Sequence, residues 1–388
     1  MHWHPIVILS CVLTLLCAHP GWIGAAEIGE SIQALMDVGA QGKGHEQAAP
    51  ALRDLSQQPA TALLPLLHGM DRANPIASNW LRGAFESIAD RELKSGRLAV
   101  QPELEAFTLD RTHSAESRQL AFDWLLKIDP DAADRLVPGM IDDPSAEFRR
   151  ASVQRLLDAA LQAHDAKNVA GCKTLYAEAF NAALDPDQLD LAFDKLVELG
   201  ETPDLKRQLG LLNRWWLIAP FDHRGGIGFD AAYAPESEID LQKKYAGTEG
   251  EVAWVEKTSD ERHAILDLNN LLGRHKGAVA YAYCEFDSKR DQPAEIRLGT
   301  PNGWKLWIND QPMFAHEEYH QSSRLDQYRT PVRLKAGKNR ILLKICQNEQ
   351  TQDWAQRWEF QLRVCDESGK AILPVGAASS DANKVSQR

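Results

Sequence analysis

Asp, Glu, Lys and Arg are all missing from the first 26 residues of this 388-residue chain. That absence excludes a solvated, globular start. Residues 6–17 form an apolar run too short to cross a bilayer, and Gly24-Ala25-Ala26 supplies a small-residue cleavage site. Residues 1–26 are therefore read as a signal peptide, and the mature chain is expected to be exported, periplasmic or extracellular. Leu16 directly before Cys17 is a poor fit to a lipoprotein box, so cleavage near Ala26 is favoured over lipid anchoring. No later stretch is apolar enough to predict a membrane span.

Basic charge is also scarce, with 43 Lys and Arg against 55 Asp and Glu and a net charge of −12. Without clustered cations to neutralise phosphates, nucleic acid and anionic membrane surfaces are not expected partners. Cysteine is sparse: Cys172, Cys284, Cys346 and Cys365 follow the leader. Export permits disulfides without implying them. If 342–346 and 360–365 are neighbouring antiparallel strands, Cys346 faces Glu359 and lies about six residues, or roughly 20 Å, from Cys365, beyond disulfide reach. A nucleophile elbow, a phosphate-binding glycine loop and a dinucleotide fingerprint are all absent. Glycosidase carboxylates far apart in sequence would leave no motif. The chain is read as non-enzymatic and without a cofactor.

What is present falls into two grammars. Residues 27–210 space apolar residues by three and four, with Asp-Pro or Ser before several helix starts. Ser114-Ala115-Glu116-Ser117-Arg118 recurs 31 residues later as Ser145-Ala146-Glu147-Phe148-Arg149. Leu120-Ala121-Phe122-Asp123-Trp124-Leu125 returns as Leu191-Ala192-Phe193-Asp194-Lys195-Leu196. Such recurrence predicts stacked helical hairpins. From Trp215 onward Gly/Pro-bounded alternating runs take over, at 215–219, 251–255, 278–286, 294–298, 305–309, 332–334, 340–346 and 358–364. About eight short strands predict a sandwich or jelly roll over 211–375. The small polar residues of 376–388 read as a disordered tail. The expected fold class is α+β in separate domains: an N-terminal helical repeat domain and a C-terminal all-β sandwich.

The Asp142-Asp143-Pro144 start, Arg149 and the Ala/Leu-rich helix that follows resemble short HEAT-like repeats over about 75–200. That resemblance implies either a curved surface for a protein partner or a platform supporting the second domain. The blocks Trp216-Leu217-Ile218-Ala219-Pro220-Phe221-Asp222, Gly225-Gly226-Ile227-Gly228-Phe229-Asp230, Tyr281-Ala282-Tyr283, Leu306-Trp307-Ile308-Asn309, Leu334-Lys335-Ala336-Gly337-Lys338-Asn339 and the run 346–360 resemble a galactose-binding-like jelly roll. It is of the kind recurrent in exported planctomycete proteins. Relatives of that architecture bind sugars or dock onto catalytic domains, so the resemblance implies binding without naming a ligand. Calcium-dependent sugar-binding sandwiches of related grammar carry Asp-Asp-Gly where this chain has Pro301-Asn302-Gly303. The hard oxygen ligands that calcium needs are thereby gone.

Several motifs carry chemistry on paper. His316-Glu317-Glu318-Tyr319-His320 spells H-E-x-x-H, whose zinc chemistry needs a helix that brings His316 and His320 together with Glu317 as base. The stretch follows Pro312, lies between predicted strands and lacks an apolar stripe, so a polar inter-strand loop is the expectation and no metal is assigned. By alternation Trp304 shares a face with Leu306 and Ile308, and Trp358 with Phe360 and Leu362, so both are expected in the core. Trp307, on the polar face, and Trp354, in a loop, are the expected exposed pair, with Asn309, Asp310 and Gln356 as hydrogen-bonding partners for a sugar. Asp310 stands where an Asn-Gly turn usually has Gly, and a left-handed conformation tolerates it. Asp222-His223-Arg224 reads as a turn beside glycines. The leading functional expectation is a binding or assembly protein, with the sandwich taking a glycan or cell-envelope polymer and the helices a protein. The alternatives are a purely structural assembly factor and a zinc-dependent hydrolase using His316, Glu317 and His320.

Overall fold

The structure, a computed structural model, describes residues 25–376. The leader and tail readings fall almost wholly outside the described residues. The N-terminal half is helical, the C-terminal half is built from antiparallel sheets, and no described helix is long and apolar enough to cross a membrane. The chain divides into two compact units, 1–145 and 146–388.

The first unit contains α1 (Ala25–Met36), α2 (His45–Ser56), α3 (Leu63–Met70), α4 (Pro75–Lys94), α5 (Gln101–Leu109), α6 (Ala115–Ile128) and α7 (Ala132–Leu136). Local chemistry sets the helix starts. Asn74 accepts hydrogen bonds from the Ile76 and Ala77 amides ahead of Pro75, and Ser114 accepts from the Ser117 amide. Each arrangement satisfies amides that the first helical turn leaves without partners. Leu66, Leu67, Leu81, Phe85, Ile88, Leu120 and Leu125 are buried between these helices. Arg118, 1% exposed, forks onto both oxygens of Asp143 at 2.8 and 2.7 Å, while its Nε donates to the Thr108 carbonyl. The first arginine of the sequence repeat is therefore a buried cross-link. The repeat also coincides with helix starts, because Ala115 and Ala146 open equivalent helices.

The second unit begins with α8 (Ala146–Asp165), α9 (Val169–Ala182), α10 (Pro186–Glu198) and the short α11 (Leu205–Leu209). Then follow β1 (Arg214–Asp222), β2 (Lys244–Gly247), β3 (Gly250–Ala253), β4 (Val255–Thr258), β5 (Leu266–Asp267), the short α12 (Leu268–Leu272), β6 (Ala278–Ser288), β7 (Gln292–Gly299), β8 (Gly303–Ile308), β9 (Gln311–His316), β10 (Tyr328–Leu334), β11 (Gly337–Gln347) and β12 (Glu359–Cys365). A six-stranded sheet, β4-β1-β6-β11-β8-β9, faces a four-stranded sheet, β10-β7-β12-β5, and β2-β3 form a separate hairpin. The sandwich core holds Trp215, Leu217, Phe286, Trp304, Leu306, Ile341, Leu343, Ile345, Trp358, Phe360 and Leu362. Trp304 and Trp358 thus sit where alternation places them.

Strand pairing and the short edge strands depart from the sequence reading. β11 and β12 are not neighbours: β11 pairs with β6 and β8, whereas β12 pairs with β7 and β5 in the opposite sheet. The chain between them crosses from one sheet to the other, which alternation within each strand cannot reveal. Cys172, Cys284, Cys346 and Cys365, for which the sequence reading implied no disulfide, are buried and unpaired, and burial pushes the thiols of Cys346 and Cys365 up to about 12 and about 11. β9 occupies part of the stretch expected as loop, and β2 and β5 were not foreseen because each is short and paired at an edge.

The outer face of the six-stranded sheet forms a second cluster around Ile218, Phe221, Trp254, Val279, Tyr281 and Tyr283, covered in part by the excursion of residues 223–254. Lys344 points into it and is fully buried; its Nζ donates to the carbonyls of Phe229 and Ala231 and pairs with Glu236 at 2.8 Å. Tyr281 donates to the same carboxylate, and burial pushes its phenol far above its ordinary value. Lys344→Ala is expected to destabilise the protein by about 3–5 kcal/mol, since it leaves Glu236 without its cation and two carbonyls without a donor. Urea unfolding would read this as a lower midpoint; an unchanged midpoint would show that the buried amine does not pin the excursion.

Candidate functional site

Register across the six-stranded sheet places one row of large side chains on its outer face. Trp216 on β1 faces Tyr283 on β6, Tyr283 faces Leu342 on β11, and Leu342 faces Trp307 on β8. Because side chains alternate, the same face two residues further along carries Arg214, Glu285 and Arg340, with Glu285 and Arg340 directly paired. An aromatic row therefore runs beside a charged one.

The charged row is held by its own contacts. Arg214 pairs with Glu256 at 2.7 Å, Lys338 with Glu285 at 2.6 Å, and Arg340 with Asp310. Tyr283 donates to Glu285 at 3.0 Å. The Lys338 ammonium, together with the Tyr283 hydroxyl, holds the Glu285 carboxyl below its usual range, while burial and Glu285 push the Tyr283 phenol up. At the β1 end Arg214, Trp216, Tyr283, Glu256 and Glu285 line a cleft of about 660 Å³, within the size range of small-ligand sites. At the β8 end Trp307, Asp310, Arg340 and Leu342 line a smaller cleft of about 180 Å³ against residues 235–239.

The structure separates the residues expected to form one site. Trp307 and Asp310 lie on this face, but Trp307 is half-buried rather than free, because the 235–239 segment packs beside it. Asn309 and Asp310 form the β8–β9 turn with φ of 51° and 65°, the left-handed conformation foreseen for Asp310. The amide of Asn309 donates to Asn339 and its carbonyl oxygen accepts from the Arg340 amide, so the side chain builds the turn rather than facing a ligand. Trp354, 62% exposed, sits elsewhere, in the loop between β11 and β12, edge-on to His320. Gln356 donates to the carbonyls of Thr351 and Gln352 and closes that loop on itself.

H-E-x-x-H does not form a helix. His316 ends β9 and bonds Glu318 at 2.9 Å, whereas His320, at φ 60°, bonds Asn348 at 2.8 Å. A strand end followed by a left-handed residue sends the two imidazoles to different partners. Tyr319 between them reaches instead to His223, with its hydroxyl 2.8 Å from Nε2. Gly303 leaves room for this ring, since a Cβ there would stand 3.1 Å from it. Pro301-Asn302-Gly303 is buried, and the Asn302 side chain ties Gln347, Arg357 and Glu359 together.

His223 is fully buried, and its Nδ1 has no hydrogen-bond partner. Arg224 holds the neighbouring Asp222 carboxyl down to about 2. The turn reading of 222–224 agrees with this geometry: Gly225 and Gly226 have φ of 66° and 80°, and a Cβ on Gly228 would come within 2.3 Å of the Asp222 carbonyl.

No family model matches the chain, and no curated protein matches it. Among solved structures it is similar to a β-glucosidase from Kluyveromyces marxianus, with 12% identity, a TM-score of 0.24 and coverage of 39% of this chain and 16% of that one. A GH2 β-galacturonidase from Eisenbergiella tayi gives 11%, 0.25, 40% and 25% in the same terms. The PA14 domain of the MpAFP antifreeze protein gives 11%, 0.19, 25% and 48%. The chain spans less than half the length of each, and likenesses at this level carry no weight for activity.

Trp216 and Tyr283 were read from sequence only as part of the jelly-roll resemblance, and Arg214, Glu256, Glu285 and Arg340 were not singled out; none was expected in a site. Alternation around Trp215 and Ala282 turns Trp216 and Tyr283 away from the core, but only strand order sets them side by side.

Burial holds the His223 imidazole below its ordinary value of 6.5, with Lys344 adding to the shift and Glu317, Glu349 and Asp222 opposing it. The unfolded chain therefore takes up the proton first. Stability present above pH 6.5 is lost as pH falls through that value toward the lower folded one, by at most about 1.4 kcal/mol per pH unit. Melting temperature measured from pH 7.5 to 5 should fall less steeply in His223→Gln than in the wild type; equal slopes would place the dependence in other groups.

Proposed function

We propose that this protein is an exported, non-enzymatic binding protein whose sandwich takes a carbohydrate chain on the outer face of its six-stranded sheet. In this reading the sandwich is the galactose-binding-like module that its sequence resembles, and the HEAT-like helices offer a surface to a protein partner. The observation that carries the proposal is the Trp216–Tyr283–Leu342–Trp307 row lying beside Arg214, Glu285 and Arg340. Aromatic faces suit the apolar face of a sugar ring, and fixed charged groups one row away suit its hydroxyls or a uronate. Binding of this kind needs no metal.

The same residues argue against glycoside hydrolysis at this cleft. A glycosidase acid needs a carboxyl kept protonated near neutral pH. Glu285 is shifted the other way, and Glu256 is engaged by Arg214.

A glycan array and calorimetry on the full chain, run with and without chelator, test the proposal. Binding should persist in chelator, weaken at least tenfold, about 1.4 kcal/mol, in Trp216→Ala and in Glu285→Gln, and stay unchanged in Trp354→Ala. Loss confined to Trp354→Ala would move the site to the loop end. Absence of any glycan binding would favour the purely structural assembly reading.

A further inference from the structure

Among the described residues one group of three metal-capable side chains converges, and it lies in the helical unit: His68, Asp71 and His113, each offering a ligand atom within 4.8 Å of the others. His68 lies in the last turn of α3, Asp71 caps that helix, and His113 sits in the turn that precedes α6. Asp71 Oδ2 is 2.7 Å from His113 Nδ1 and 4.0 Å from His68 Nδ1. Tetrahedral zinc with bonds near 2.0–2.1 Å sets its ligands about 3.3 Å apart, so the first distance must open and the second close by roughly 0.6–0.7 Å. A metal ion taking the place of the hydrogen between His113 Nδ1 and Asp71 Oδ2, with the imidazole proton moved to Nε2 beside Asp110, opens the first. The exposed His68 side chain, free to rotate, closes the second.

Two of the three ligands, Asp71 and His113, are already oriented from behind. Asp71 Oδ1 accepts from the Ser114 amide at 2.9 Å and from the Ser117 hydroxyl at 2.6 Å, which leaves Oδ2 as the coordinating oxygen. Burial pushes the Asp71 carboxyl up, but these bonds and the adjoining His113 imidazole together keep it below its usual range. The His113 ring stacks on Phe107 at 3.8 Å and 5°, and its Nε2 lies 3.6 Å from Asp110 Oδ2. A carboxylate behind the second imidazole nitrogen is the arrangement that fixes the tautomer and raises the basicity of a ligating histidine.

We propose that His68, Asp71 and His113 form a binding site for a divalent transition-metal ion of the zinc, cobalt or nickel type. Two imidazoles and one carboxylate select such ions over calcium and magnesium, which prefer sets of oxygen ligands. With three protein ligands and His68 on the surface, the fourth position is open to water or to a side chain of a partner. The site is independent of the aromatic row, and its failure would leave the carbohydrate reading untouched.

Isothermal titration of the metal-stripped full chain with Zn²⁺, and visible absorption with Co²⁺, test the site. The wild type should bind Zn²⁺ saturably at micromolar or lower concentration and give the intense d–d bands of low-coordinate Co²⁺. His68→Ala, at an exposed position that folding does not require, should weaken binding at least tenfold and abolish the Co²⁺ bands. The His316→Ala/His320→Ala double variant should retain both. Binding unchanged in His68→Ala, binding lost in the double variant, or no saturable Zn²⁺ binding by the wild type would each overturn the proposal.

Discussion

A lysine ammonium buried on the outer face of the six-stranded sheet dictates how the rest of that face is used. Lys344 belongs to the central strand β11, whose opposite side faces the sandwich core, so its charge cannot reach water by tilting toward an edge. Leaving it unpaired would cost several kcal/mol. The excursion 223–254 answers that constraint by bringing two carbonyls and Glu236 to the amine, and Tyr281 ties into the same carboxylate. Once the excursion is anchored there, the middle of the outer face becomes a second core, and clefts remain at its β1 and β8 ends.

The aromatic row runs across that second core from one cleft to the other. Tyr283 and Leu342 are buried, while the half-buried Trp216 and Trp307 at the two ends line clefts. Arg214, Glu285 and Arg340 are each paired on the surface, with Glu256, Lys338 and Asp310, which biases the polar groups beside the row toward one arrangement. Groups held in place before a ligand arrives lose little conformational freedom on binding. The same logic acts on a smaller scale in the helical unit, where Ser114, Ser117, Phe107 and Asp110 constrain Asp71 and His113.

Legibility followed the range of the interaction. The change from three- and four-residue spacing to alternation marked the shift from helices to strands. The 31-residue recurrence marked α6 and α8, and Asn309-Asp310 announced a turn with positive φ. Trp304 and Trp358 were readable as core because a strand's two faces alternate strictly. Pairing of β11 with β6 and β8, rather than with β12, was not readable, because alternation is the same whichever strand lies alongside. H-E-x-x-H shows the converse: a spelling that means convergence on a helix means divergence where a strand ends and His320 turns left-handed.

The amino-acid sequence by itself determined the element types, the inward faces of the main strands and the turn chemistry, because these depend on residues within one or two turns of each other. Tertiary structure alone decided which side chains share a site. Trp216 and Trp307 are 91 residues apart and meet in one row only through β6 and β11. His68 and His113 come together only because Asp71 at the end of α3 receives the amide that opens α6. Register and helix docking are long-range events, settled by burial and hydrogen-bond satisfaction across the whole unit, and no local pattern encodes them.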